Sequence, residues 1–98
     1  MPYDFRVATV PTNKGTACVV RLLDRHRNVA ELDELGMHPH DLELFKQALE
    51  LPQGMILTTG PSGSGKTTTL YAAVQKLAAR NLKVVTIEDP VEYHVDQV

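Results

Sequence analysis

The sequence predicts an α/β fold in which an N-terminal β-hairpin and linker helices precede a strand–helix–strand unit. Two short segments rich in β-branched residues flank a turn near the N-terminus, which is typical of a hairpin. Further along, an apolar run at 55–59 leads through a glycine-rich loop into a helix-periodic segment at 67–79. A β-branched run at 82–87 follows and is typical of a buried parallel strand. Strand, helix and strand in this order predict a right-handed βαβ unit.

The predicted hairpin strands cover residues 5–10 and 17–23, and the turn between them contains Asn13 and Gly15. Its register depends on the length of the turn. A two-residue turn would place Arg6 directly opposite Arg21, whereas a three-residue turn would place Arg6 opposite Leu22. Two facing arginines are slightly unfavourable. They are therefore either held for an anionic group or simply solvated, and spacing alone leaves both interpretations open.

Three helical segments are predicted between and after these strands. Residues 31–37 indicate a short helix that ends near Gly36, and residues 40–50 indicate a longer one. The third segment, 67–79, has Leu70 and Leu77 on the face that would pack against the sheet.

Residues 60–67 read GPSGSGKT and match the phosphate-binding pattern G-x-x-x-x-G-K-[ST] at every fixed position. Glycines allow a tight loop whose N–H groups point at phosphate oxygens, and the following helix start favours anions. Lys66 is expected to reach the β- and γ-phosphates of a nucleoside triphosphate, and the Thr67 hydroxyl to bind Mg²⁺. The predicted nucleotide-binding residues are Gly60, Pro61, Ser62, Gly63, Ser64, Gly65, Lys66, Thr67 and Thr68.

A second group of candidate residues follows the 82–87 run, where Glu88, Asp89 and Glu92 lie close together in the sequence. In open α/β sheets, ligands bind beyond the carboxyl ends of the strands. These carboxylates are therefore expected at the same edge as the phosphates. One of them can hold Mg²⁺ and another can orient an attacking water.

Composition narrows the classes of function. The formal net charge of -2 argues against a nucleic-acid partner, and the single cysteine excludes an intramolecular disulfide framework. No apolar run approaches the roughly 20 residues of a transmembrane helix. We therefore expect a cytoplasmic protein without a transmembrane segment.

With these motifs, the chain resembles the secretion ATPase superfamily, the hexameric motors of type II secretion and type IV pilus assembly (GspE and PilB types). Residues 60–72 resemble the family's phosphate-binding loop and helix, and residues 86–93 resemble its Asp box. The assembly and secretion types are more similar than the pilus-retraction type. The upstream segments that also resemble the family are 5–12, 19–24, 34–36 and 51–57.

The resemblance implies roles for individual residues. It implies that Arg6 and Arg21 contact nucleotide phosphates, that Glu92 handles the catalytic water, and that Glu88 and Asp89 support the metal and phosphate network. The residues expected to be catalytic are Glu92, Glu88, Lys66, Arg6 and Arg21, and those expected to hold Mg²⁺ are Thr67 and Glu88.

The resemblance also implies an organisation. Residues 1–27 would be the final strands of an N-terminal domain, 28–52 a helical linker, and 53–98 a partial P-loop (RecA-like) ATPase domain. The parent protein would be a homo-hexamer peripheral to the inner membrane through secretion or pilus platform proteins. The Walker B strand of the family is absent, so these 98 residues alone are expected to hydrolyse ATP poorly or not at all. The alternatives are a nucleotide-binding or assembly module without turnover, and another P-loop phosphotransferase.

Overall fold

The computed structural model describes residues 3–24 and 29–98 of the chain. It is a mixed α/β structure in which a two-stranded hairpin precedes a short 3-10 helix and two α-helices. The predicted boundary between residues 27 and 28 lies outside the described residues. The elements in chain order are β1 (Asp4–Thr12), β2 (Gly15–Leu23), the 3-10 helix (Leu32–Glu34), α1 (Pro39–Glu50) and α2 (Lys66–Ala78).

The hairpin has the register that a two-residue turn requires. Thr12 pairs with Gly15 across the turn, and Arg6 pairs directly with Arg21 further along the ladder. The Thr12 hydroxyl donates a hydrogen bond to the Gly15 carbonyl at 2.8 Å and accepts one from the Lys14 N–H at 3.3 Å. Gly15 has a φ of 123°, which an L side chain would rarely adopt. The structure therefore selects the first of the two predicted registers.

The short helix predicted over 31–37 is a single 3-10 turn at Leu32–Glu34. The Glu31 N–H donates to the Glu34 carboxylate at 3.2 Å, which caps the start of this turn. Gly36 takes a φ of 78°, in the left-handed region, which ends the helical path. The predicted location and the end near Gly36 are confirmed, but the helix is shorter than the predicted 31–37 because it forms only one 3-10 turn.

Helix α1 begins one residue before the predicted start, with Pro39 in its first turn. The His38 Nδ1 accepts a hydrogen bond from the His40 N–H at 3.3 Å and so serves as the cap. At the other end, the Glu50 carboxylate pairs with Arg80, which joins α1 to the segment after α2. Neither helix of the described chain is long and apolar enough to cross a membrane.

The core is small and lies mostly on α2. The described residues with buried apolar side chains are Leu32, Tyr71, Ala72, Ala73 and Ala78. The 3-10 helix packs against α2 through Leu32, whereas both strands of the hairpin are largely exposed. The radius of gyration is 17.1 Å, compared with about 13 Å for a compact domain of this size. The hairpin therefore extends away from a body organised around α2.

The predicted strands at 55–59 and 82–87 are absent from the described structure, so the predicted βαβ unit is not seen. Their apolar side chains are exposed: Leu57 retains 79% of its accessible surface and Ile87 retains all of it. A parallel strand takes its hydrogen bonds and its packing from neighbouring strands. Both apolar runs lack such neighbours here, so their composition alone does not make them strands.

Between the 3-10 helix and α1, the Lys46 Nζ lies 2.6 Å from the Asp33 carboxylate. The hydrogen bond and charge of Lys46 hold the pKa of Asp33 below its ordinary value of 3.8.

We predict that Lys46→Met raises the pKa of Asp33 towards 3.8, measured from the carboxyl carbon shift by NMR. The bond stabilises the fold above pH 3.8, and this contribution is lost as pH falls through the lowered pKa. Lys76→Met removes a weaker charge effect on Asp33 and is the control, and equal shifts in both variants would contradict the assignment.

Candidate functional site

The glycine-rich loop opens directly into α2. Gly65 occupies the position before the helix with a φ of 96°, and Gly63 has a φ of 76°, both in the left-handed region. No side chain accepts a hydrogen bond at this helix start, unlike the His38 cap of α1. The first-turn N–H groups of a helix lack intrahelical acceptors, and here they lack a capping side chain as well. The loop thus presents donors and a positive dipole end that suit an anion.

The two ends of the loop lie close together. A Cβ on Gly60 would stand 2.7 Å from the Ser64 Oγ, so only glycine fits there without a shift. The Lys66 Nζ donates to the Gly60 carbonyl at 2.5 Å and thus reaches back across the loop. Within the described chain no carboxylate pairs with Lys66, so its charge is available to an anion. The other predicted loop residues, Pro61, Ser62, Thr67 and Thr68, are exposed.

The acidic run, residues 88–93, lies against α2 and is held by one tyrosine. The Tyr71 hydroxyl donates to the Glu88 carboxylate and accepts hydrogen bonds from the N–H groups of Glu92 at 3.1 Å and Tyr93 at 3.3 Å. The rings of Tyr71 and Tyr93 meet edge to face, with centroids 5.0 Å apart and planes at 85°. Glu88 also accepts a hydrogen bond from the Thr86 hydroxyl at 3.0 Å.

Tyr71 is 6% exposed, the most buried polar side chain of this site. Burial raises the pKa of its hydroxyl above the ordinary value of 10.0, and the hydrogen bond to Glu88 adds to the rise. The hydroxyl therefore stays protonated at neutral pH, as its donation to Glu88 requires.

The hairpin reaches the acidic run through an ion pair. The Arg6 guanidinium lies 3.2 Å from the Glu92 carboxylate, and both side chains are more than 30% exposed. Arg21, its partner in the ladder, is exposed and makes no ion pair with any described carboxylate. The structure therefore brings Arg6 and Glu92 together, while Arg21 lies opposite Arg6 in the ladder without an ion pair among residues 3–24 and 29–98.

A cleft of about 440 Å³ separates the start of α2 from the acidic run. Thr67, Glu88, Asp89 and Glu92 all line it, so both predicted Mg²⁺ residues face the same space. A hydroxyl and a carboxylate are ligand types that Mg²⁺ uses together with water and phosphate oxygens. Among the described residues, no three acidic, histidine or cysteine side chains form a metal cluster. The residue types that line the cleft are therefore ones that fit a Mg²⁺ ion.

The ion pair yields a prediction about stability. We expect a double-mutant cycle of Arg6→Met and Glu92→Gln to give a coupling of at most about 1 kcal/mol, because exposed pairs are screened by water. Urea denaturation of the four proteins measures it. Arg21→Met replaces Arg6→Met in a control cycle, and a coupling of equal size there would show that the effect is not specific to the pair.

Tyr71 is not among the site residues predicted from the sequence, and its three hydrogen bonds are found only in the structure. A large polar aromatic residue beside the alanines at 72 and 73 was the available signal. The ring of a tyrosine can reach a neighbouring segment, and its hydroxyl can form hydrogen bonds there. A tyrosine at such a position is therefore a candidate for a bridging contact.

Comparison with known proteins relates the whole chain to one family. The model of a family described as type II/IV secretion system protein matches residues 1–98. The chain is 48% identical over 95 residues to the type II secretion system protein E of Xanthomonas campestris pv. campestris. This match covers 97% of the chain and 17% of that protein.

Two further relatives have similar matches. Identity is 50% over 92 residues with the type II secretion system protein HxcR of Pseudomonas aeruginosa, covering 94% of the chain and 20% of the relative. Identity with the type II secretion system ATPase E of Vibrio cholerae is 43% over 95 residues, and this match covers 97% of the chain and 19% of the relative. The chain thus spans about a fifth of the length of the curated relatives it matches.

Proposed function

Because the chain belongs to the type II/IV secretion system protein family, we propose that it is the nucleotide-binding part of an ATPase motor that powers protein secretion or pilus assembly. The observation that carries this proposal is the loop at 60–65, which opens into α2 without a capping side chain. Lys66 lies beside it and has no carboxylate partner in the described part of the chain. Phosphate is the ligand whose charge and acceptor oxygens match such a loop.

The loop is proposed to bind the phosphates of ATP through its N–H groups. Lys66 would exchange its hydrogen bond to the Gly60 carbonyl for the β- and γ-phosphates, which offer a full negative charge in place of a neutral acceptor. Thr67 and Glu88 would hold Mg²⁺, whose role when bound is to neutralise charge on the phosphate oxygens. The fit is supported by the cleft that Thr67 and Glu88 share.

Glu92 is proposed to orient the attacking water, and the two arginines to neutralise phosphate charge. The ion pair between Arg6 and Glu92 supports placing both residues near one ligand. Arg21 would add the second positive charge, since its register puts it beside Arg6. An anion with several negative charges would attract both arginines, and this attraction would offset their mutual repulsion.

The organisation of the parent protein is proposed on the same basis. Residues 1–27 would end an N-terminal domain, 28–52 would link it, and 53–98 would begin a P-loop ATPase domain. In that domain, further strands would cover the apolar runs at 55–59 and 82–87 and complete the βαβ unit. The parent would be a secretion ATPase, as the name of the relative from Vibrio cholerae describes that protein. The resemblance to hexameric motors further implies a cytoplasmic homo-hexamer that meets inner-membrane platform proteins.

Calorimetric titration of the chain with nucleotides in Mg²⁺ tests the proposal. ATP and ADP are expected to bind at one per chain and AMP at least about tenfold more weakly, because the loop and Lys66 address the β-phosphate. Equal affinity for AMP would contradict a phosphate-directed site. Phosphate release over the same interval would separate turnover from binding alone.

A further inference from the structure

The Tyr71 hydroxyl uses its entire hydrogen-bonding capacity on one segment. A phenol has one donor and two acceptor sites. The donor goes to Glu88, and the acceptors receive the N–H groups of Glu92 and Tyr93. One side chain therefore contacts the acidic run near both of its ends.

The tyrosine is itself firmly placed. It lies on α2 beside Ala72 and Ala73, which are 2% and 7% exposed, and its ring packs edge to face on Tyr93. Since α2 begins at Lys66, Tyr71 stands on the same rigid helix as the lysine and Thr67. Through Tyr71, the acidic run is held at a fixed position relative to the phosphate-binding loop.

Other contacts of the run are weaker. The ion pair of Glu92 with Arg6 is partly exposed and therefore screened. The hydrogen bond of Thr86 to Glu88 joins residues only two apart and lies at the surface, so it shapes the run without attaching it to α2. Buried hydrogen bonds whose loss would strand unsatisfied groups contribute more than exposed ones.

We propose that Tyr71 is a positioning residue that fixes residues 88–93 against the phosphate-binding helix. Its hydroxyl thereby sets where Glu88 and Glu92 present their carboxylates to a nucleotide at Lys66. The part that concerns the nucleotide rests on the proposed function. The anchoring of the run by the hydroxyl does not.

Amide hydrogen exchange by NMR on the 98-residue chain tests the anchoring. In Tyr71→Phe, which keeps the ring and removes the hydroxyl, exchange at the amides of Glu92 and Tyr93 is expected to accelerate about tenfold or more. The amide of Thr69, bonded to the Gly65 carbonyl at 2.9 Å, is expected to keep its wild-type rate. Tyr93→Phe is the matched control, because it also removes one phenolic hydroxyl and keeps the edge-to-face pair.

A second measurement concerns the nucleotide. The affinity for ATP is determined by calorimetry with and without Mg²⁺, and the ratio of the two is compared between variants. Tyr71→Phe is expected to reduce this ratio at least about threefold and to leave the affinity without Mg²⁺ unchanged, because the loop and Lys66 are intact. Tyr93→Phe is expected to keep the wild-type ratio.

Three results would overturn the proposal. The first is unchanged exchange at Glu92 and Tyr93 in Tyr71→Phe. The second is amide exchange that accelerates throughout α2, combined with an equal loss of ATP affinity with and without Mg²⁺. That result would indicate a general role of Tyr71 in folding. The third is accelerated exchange with an unchanged magnesium ratio, which removes the link to the carboxylates. A wild-type chain that binds no ATP would instead refute the proposed function, and the exchange rates would still decide the anchoring.

Discussion

Replacement of Lys66 by alanine is expected to weaken Mg-ATP binding by about a hundredfold, since a hydrogen bond to a charged group contributes up to about 3 kcal/mol. The Lys66 ammonium faces the loop, bonds the Gly60 carbonyl and has no carboxylate partner among the residues described. Its removal therefore takes away positive charge without freeing a buried anion. Calorimetric titration with Mg-ATP measures the effect.

Lys83→Ala is the matched control for that variant. Lys83 is exposed, carries the same charge, and lies beyond the end of α2. The Lys83→Ala variant should bind Mg-ATP as the wild type does, because charges separated by solvent are screened. Equal weakening in both variants would mean that net charge, and not the loop, determines the affinity.

Leu32→Ala is expected to destabilise the chain by about 2–5 kcal/mol, a large part of the about 5–15 kcal/mol typical of a whole domain. Leu32 is 4% exposed, and it is the buried side chain that the 3-10 helix packs against α2. The other side chains buried in the described part of the chain are those of three alanines and Tyr71, and none of them can expand to fill the cavity. Urea denaturation followed by circular dichroism measures the loss.

The control for Leu32 is Leu44→Ala on α1. Leu44 is 51% exposed, so the same truncation there should cost well under about 1 kcal/mol. If Leu32→Ala lowers the urea midpoint no more than Leu44→Ala does, the packing of the 3-10 helix does not contribute to stability.

The elements that were predictable from the sequence are those determined by neighbouring residues. The hairpin follows from its turn, in which Thr12 and Gly15 pair and bond each other. Both α-helices lie within a residue or so of their expected bounds, because caps and periodicity are local signals. The loop at 60–65 was predictable for the same reason.

What was not predictable depends on partners distant in the chain. The runs at 55–59 and 82–87 have the composition of strands, but a strand forms only beside another strand, and composition does not report whether one is present. The bond of Tyr71 to Glu88 spans 17 residues, and that of Arg6 to Glu92 spans 86. Such pairs leave no periodic pattern, so the candidate residues could be named and their mutual contacts could not.

The ion pair of Arg6 with Glu92 also has a consequence for the order of folding. It closes a loop of 86 residues, whereas the hairpin turn closes over three and each helix over four. The entropy cost of closing a loop rises with its length, and a screened pair offsets little of it. The hairpin and α2 should thus form before the pair does, and the pair should be the first long-range contact to open. Opening of the pair would then release the two-stranded hairpin as a unit from the acidic run, while β1 stays paired with β2 and the helices stay folded.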